Sequence, residues 1–259
     1  IDPKLTTLRT TPDIRLNFLF NSLKDLNNSL ILNRSRLLIV KGNPAEIFQK
    51  ISSKIEIDIN ASKDYSSYSK RRDVLVRYNL NPTSKLNLVK NLVVFDSEDH
   101  IVNLKHEPYK VFSQFKKVWL QKLNSNLELL NYVPIQENAF ANDEKIEAFK
   151  EQLIKLDIKV VDINSIKTTQ NIEFLGGETE ARKRWGTFKE EDIFNYAKDR
   201  NSLDYEGTSK LSPYYKFGCL SVYEVVGDCL ELLKKKRSDG VESYLSEIVW
   251  REFYKYILA

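Results

Sequence analysis

"RLLIVKGNPAEIFQKISSKIEIDIN", residues 36–60, reads as strand, turn, helix and strand within one short span. "RLLIV" (36–40) is a short apolar run suited to a buried strand. It ends at Lys41-Gly42, a strand-to-helix turn, and Asn43-Pro44 supplies a cap and a first helical residue for "AEIFQKIS". "IEIDIN" (55–60) alternates apolar and polar side chains, the period of a strand. Upstream, residues 13–32 place Leu16, Leu19, Leu23, Leu26 and Leu30 at helical spacing. Downstream, helix resumes through "YSKRRDVLVRYNL", and "LVVF" (92–95) is a further strand candidate. This alternation argues for an α/β domain with a parallel sheet covered by helices.

The chain has 259 residues, 42% hydrophobic and 29% charged, enough for one large domain or two smaller ones. No window approaches eighteen uninterrupted apolar residues, so no membrane-spanning segment is expected. The opening "IDPKLTTLRTTPD" is polar and carries no cleavable signal pattern. The first residue is Ile1 and Met is absent throughout, so the sequence is expected to be part of a longer gene product. A net charge of +4 is compatible with nucleic acid, although the lysines are spread along the chain.

Cys219 and Cys229 form no CxxC and read as half-buried thiols in a reducing cytosol, which sets a cytoplasmic expectation. His100 and His106 are the only histidines. That leaves little for a catalytic zinc or a histidine-based triad, and no metal site is expected. There is no GxGxxG and no GxxxxGK[ST], so the familiar phosphate loops are missing.

Residues 116–170 are polar, Asn-rich and broken by Pro134, and read as a connector that includes a helix at "EKIEAFKEQLIKLDI". The expected organisation is therefore 1–115, a connector over 116–170, and a helical domain over 171–259. After Gly176-Gly177 the pattern is helical to the end. Ala181, Arg184/Trp185 and Phe188 fall on one helix, and Ile193, Phe194 and Tyr196 on the next.

Two stretches carry the chemistry. In "RNSLDYEGTSKLSPYYKFG" (200–218), Thr208, Ser209 and Ser212 crowd around Lys210. Gly207 permits a turn, and Ser212-Pro213 has the form of a helix cap and first residue. A helix start with extra hydroxyl donors and an ammonium makes an anion cradle. Ordinary capping explains the same residues. In the final helix, Tyr244, Glu247, Trp250, Arg251 and Tyr254 lie three and four apart on one face. Such a face could stack a base, hydrogen-bond it and hold its phosphate. Equally, Glu247 and Arg251 could form a surface ion pair while the aromatics fill core.

Together, "YAKDRNSLDYEGTSKLSPYYKFGCLS" and "SEIVWREFYKYIL" resemble the DNA photolyase and cryptochrome family. They are most like the class I photolyases that act on cyclobutane pyrimidine dimers. "GGETEARKRWGTF" resembles the entrance to the family's helical domain, and "EPYKVFSQFKKVW" the passage closing its α/β domain. The resemblance implies a Rossmann-like α/β domain lacking its first strand, joined by a long connector to an incomplete all-α flavin-binding domain. It implies FAD, with Tyr196, Thr208, Ser209, Lys210, Leu211, Ser212 and Tyr244 at the cofactor. It places Glu247 and Trp250 at a flipped pyrimidine dimer. Arg200, Arg251 and Tyr254 are implied on the side that meets damaged DNA.

The implied reaction is light-driven dimer splitting by electron transfer from reduced FAD, in a monomer. A second chromophore, folate or deazaflavin, is open. The sequence stops at Ala259, before the family's flavin-tuning Asp and Asn and its tryptophan chain, so this piece is expected to hold flavin poorly. Rival readings are a cryptochrome-type photoreceptor and a non-enzymatic nucleic-acid-binding module.

Overall fold

The computed structural model describes residues 1–6, 13–96, 101–103, 105–131, 139–166, 174–204 and 206–258; His100 and Pro134 lie outside them. The chain divides into two compact units. The first comprises Ile1–Ala61, Tyr68–Leu88 and Pro134–Ala181, and the second Ser62–Ser67, Val89–Val133 and Arg182–Ala259. Residues 116–170, expected as a connector, are shared between them. The reason is their apolar content: Trp119 and Leu123 are buried in the second unit, Leu153 and Ile158 in the first.

The first unit carries the alternating elements. A short helix α1 (Pro3–Thr6) precedes α2 (Ile14–Leu32), which is opened by the Asp13 carboxylate accepting from the Arg15 N–H. β1 (Ile39–Lys41) leads into α3 (Pro44–Ser52), capped by Asn43 as its sequence suggests. β2 (Asp58–Ser62), α4 (Ser67–Asn79) and β3 (Lys85–Val89) follow in order. Lys85 donates to the Ile57 carbonyl at one end of the β2–β3 pair and Lys63 to Val89 at the other, so the two strands run parallel. Later in the chain, α6 (Asp143–Lys155) feeds β4 (Lys159–Val161), which pairs antiparallel with β1, Ile39 opposite Val161. Ile47, Ile51, Leu153 and Ile158 form the buried centre of this unit.

β1 starts later than the apolar run 36–40 suggests. Arg36 is spent on ion pairs with Asp143 and Glu147, and the Leu37 N–H donates to the Asn27 side chain instead of to a strand.

The second unit is helical. α5 (Phe112–Asn124) buries Phe115, Trp119 and Leu123 along one stripe. α7 (Glu178–Thr187), which begins in the first unit, passes through a π turn at Phe188–Asp192 and a 3₁₀ turn at Ile193–Asn195 into α8 (Tyr196–Asp199). The expected helical spacing over 181–196 is thus one run of changing pitch. α9 (Ser212–Phe217) ends at Gly218 in the left-handed conformation (φ 73°). α10 (Val222–Lys235) and α11 (Asp239–Leu258) complete the unit, with α11 packed on α5, α8 and α10. Gly240 lets α11 lie close against the 3₁₀ turn before α8: a Cβ there would sit 2.3 Å from the Ile193 and Phe194 carbonyl oxygens.

Residues 92–95, expected as a strand, are not one. Val93, Val94 and Phe95 are buried as an apolar run should be, but side chains take the backbone groups. Glu252 accepts the N–H groups of Val94 and Phe95, Tyr223 donates to the Val93 carbonyl, and Arg251 donates to the Leu92 carbonyl. Buried backbone polar groups need partners, and helices α10 and α11 supply them where a neighbouring strand otherwise would.

Candidate functional site

Gly207 sits against the backbone of Asp199 so closely that a Cβ would fall 2.4 Å from its carbonyl carbon and oxygen. This approach brings the loop that follows back onto the end of α8. Lys210 takes a left-handed conformation (φ 51°) and pairs with Glu206 at 2.6 Å. Leu211 is buried and anchors the loop, while Thr208 and Ser212 are exposed. Ser212 is the first residue of α9 and not its cap; Leu211 holds the cap position without a side-chain hydrogen bond. α9 has only six residues, so the hydroxyls and the ammonium, more than a helix end, give this loop its capacity for an anion.

Ser209 ties the loop to α11. Its hydroxyl lies 3.0 Å from the Tyr244 hydroxyl, which in turn lies 3.2 Å from that of Tyr215. Burial pushes the Tyr244 and Tyr215 phenols well above their ordinary values, so both are neutral hydroxyls near neutral pH. The Tyr244 ring stacks on Trp185 at 5.6 Å and 19° and meets Tyr196 edge-on at 5.2 Å, with Phe188 alongside. The Trp185 indole donates to Asp228, which also pairs with Lys189.

One turn along α11, Glu247 pairs with Arg200 at 2.5 Å, both side chains about one-third exposed. The Arg200 guanidinium lies 5.3 Å from the Tyr196 ring centroid. The Glu247 hydrogen bond raises the Arg200 pKa further, so the guanidinium is always charged. The Glu247–Arg251 pair that helical spacing allows does not form. Arg251 instead donates to the carbonyls of Leu92, at 2.6 Å, and Tyr215, at 3.3 Å, with Tyr215 also beneath its guanidinium. Burial lowers its pKa. An arginine expected at DNA phosphate is thus committed to backbone.

Trp250 stacks face to face on Phe112, ring centroids 3.5 Å apart and planes within 8°, and lies near Phe253 and the exposed Tyr254. The structure therefore brings together Tyr196, Arg200, Ser209, Tyr244 and Glu247. Trp250 and Tyr254 form a separate aromatic group with Phe112.

Sequence reading passed over Glu252. It is wholly buried and accepts from the Trp119 indole at 2.7 Å, the Val94 N–H at 2.6 Å and the Phe95 N–H at 3.3 Å. Burial raises its pKa to about 7 against the downward pull of these three donors. The signal was present: Ile248, Glu252 and Tyr256 are four apart on the buried face, a carboxylate inside an apolar stripe. Asp96, buried with Lys63 and Tyr65 as partners, is a second such carboxylate. Among the described residues no cluster of three or more His, Cys, Asp or Glu could hold a metal.

Residues 1–136 match the family model for DNA photolyase, more than half of the chain. The chain belongs to the DNA photolyase family. Cryptochrome-2 of Gallus gallus is 26% identical over 98% of this chain and 45% of its own length. A deoxyribodipyrimidine photo-lyase of Synechococcus is 24% identical over 100% of this chain and 53% of its own. The (6-4)DNA photolyase of Arabidopsis thaliana is 28% identical over 93% of this chain and 44% of its own. The solved structure of a Synechocystis cryptochrome covers 99% of this photolyase-family chain and 54% of its own, at 20% identity and a TM-score of 0.71, a likeness of fold. The chain spans about half the length of these relatives. Photolyases and cryptochromes both stand among them. The motifs at 196–251 lie beyond the matched residues 1–136 and within the relatives' alignments.

Proposed function

We propose that this photolyase-family chain contributes to light-dependent repair of cyclobutane pyrimidine dimers in DNA. The observation that carries the proposal is the meeting of the 208–212 loop with α11 through Ser209 and Tyr244, beside the Arg200–Glu247 pair.

FAD fits the donor set. Thr208 and Ser212 present hydroxyls with no partner among the described residues, and Lys210 adds an ammonium close by in the chain. Two hydroxyls and one cation suit a diphosphate. Tyr196 and Tyr244 would flank the cofactor with aromatic surface. Bound in reduced form, FAD would supply under light the electron that opens a cyclobutane ring.

This chain's own part is binding and orientation. Glu247, held by Arg200, aims a carboxylate acceptor at the N–H edge of an extruded pyrimidine. Arg200, charged at all relevant pH, holds that carboxylate in place. Trp250 gives the lesion an apolar wall, with Phe112 backing the indole. Arg200, one-third exposed, carries the positive charge toward a phosphate. Arg251 serves differently from its expected role: it fixes the Leu92–Phe95 segment to α11.

The test is an absorbance spectrum of the purified full-length protein, followed by illumination with a dimer-containing oligonucleotide. Flavin bands with loss of dimers support repair. Flavin bands with no dimer loss favour the cryptochrome reading, and the absence of flavin leaves a nucleic-acid-binding module.

A further inference from the structure

The first unit holds a cavity that the repair reading does not use. It lies between the C-terminal turns of α3 and α6, has a volume of about 310 Å³, and is walled by Ile51, Ile55, Phe149, Leu153 and Leu156. Ile51 and Leu153 are 4% and 2% exposed, so the floor is the core of the unit itself. Lys54, in the turn after α3, and Lys155, at the end of α6, line the same cavity.

The cations are the informative part. Lys50, one turn before Lys54, reaches the Asp157 carbonyl and carboxylate, and Lys150 pairs with Glu147. The ammonium groups of Lys54 and Lys155 have no polar partner among the described residues. An apolar pocket of this size sits at the small end of ligand sites, and a few polar groups at its edge set orientation. Two ammonium groups beside an apolar floor complement a molecule with one anionic head and a short hydrocarbon body.

We propose that this cavity binds a small amphiphilic monocarboxylate, aliphatic or aromatic, with its hydrocarbon against Ile51 and Leu153 and its carboxylate at Lys54 and Lys155. The site lies wholly within the first unit.

Calorimetric titration of the full-length protein with sodium octanoate, and separately with 1-octanol, tests it. Octanoate should saturate a single site, with octanol at least fivefold weaker. Lys54→Gln with Lys155→Gln should weaken octanoate at least fivefold and leave octanol unchanged. Gln152→Trp, at an exposed position on the cavity wall, should abolish both. Methyl NMR signals of Ile51, Ile55 and Leu153 should shift with octanoate, a readout that needs no variant to fold. Equal affinity for octanol and octanoate would overturn the carboxylate assignment. So would a lysine double variant that changes stability but not octanoate affinity, because the lysines would then serve only the helix ends. Unsaturable binding, or methyl signals that stay still, would overturn the site.

Discussion

Glu252 accepts the indole hydrogen of Trp119 at 2.7 Å, and neither side chain reaches solvent. The same carboxylate takes the N–H groups of Val94 and Phe95, so one residue of α11 fixes both α5 and the irregular segment before it. Burial holds its pKa near 7, against about 4.5 for an exposed glutamate. With the folded pKa raised, the folded state keeps a proton that the unfolded state has lost between those values. Stability from this group is therefore greatest at low pH and falls as pH rises from about 4.5 to 7. At about 1.4 kcal/mol per unit the change is roughly 3 kcal/mol. Glu252→Gln removes the titration. The difference in unfolding free energy between wild type and variant, from urea melts at pH 4.5 and 7.5, should move by that amount. A constant difference would show that the site does not titrate in this range.

Glycine positions give a paired test of the loop geometry. A Cβ at Gly207 would lie 2.4 Å from the Asp199 backbone, whereas one at Gly186 in α7 meets nothing within 4 Å. Gly207→Ala should destabilise by about 1–3 kcal/mol, because backbone has to move. Gly186→Ala should stabilise by roughly 0.5–1 kcal/mol through helix propensity. Thermal melts of the two variants should shift in opposite directions. Equal shifts would refute the close approach of loop and α8.

Much of this was legible in the residues, and the failures have physical causes. Asn43-Pro44 caps α3 as written, because a helix start depends on local side chains alone. The spacing of Tyr244 and Glu247 put both on α11 one turn apart, and their different partners follow from tertiary packing. Glu247 chose Arg200 over Arg251 because Arg251 is drawn to the bare carbonyls of Leu92 and Tyr215, a demand no helical wheel contains. "LVVF" was apolar enough for a strand, but its hydrogen-bond partners are side chains more than a hundred residues away. Burial is written in composition. The choice between a strand neighbour and a glutamate is not.

The phenol network is the next measurable element. Tyr244→Phe removes the hydroxyl that both Ser209 and Tyr215 face, leaving the buried Tyr215 hydroxyl short of a partner. The cost should be about 1–3 kcal/mol. Ser209→Ala removes a partner nearer the surface and should cost about 0.5–1.5 kcal/mol. Because the changes share Tyr244, the double variant should lose less than the sum of the two, as read by chemical denaturation. Strict additivity would mean the Ser209 hydrogen bond contributes nothing.

A Trp250 variant tests whether the proposed lesion binding can be separated from the proposed cofactor binding. Its indole is layered on Phe112 at 3.5 Å and lies apart from Tyr196, Ser209 and Tyr244, which gather at the loop. If the indole is the wall for an extruded dimer, Trp250→Ala removes a stacking surface worth about 1–3 kcal/mol per base. Affinity for dimer-containing oligonucleotide should then fall roughly five- to a hundredfold, with little change for undamaged duplex. Flavin absorbance per mole of the full-length protein should stay as in wild type. Phe112→Leu keeps the wall but loosens its backing, and should fall between the two. Equal losses on damaged and undamaged DNA would make Trp250 a structural residue of the Phe112 stack. The lesion would then have to be received on the Glu247 side alone.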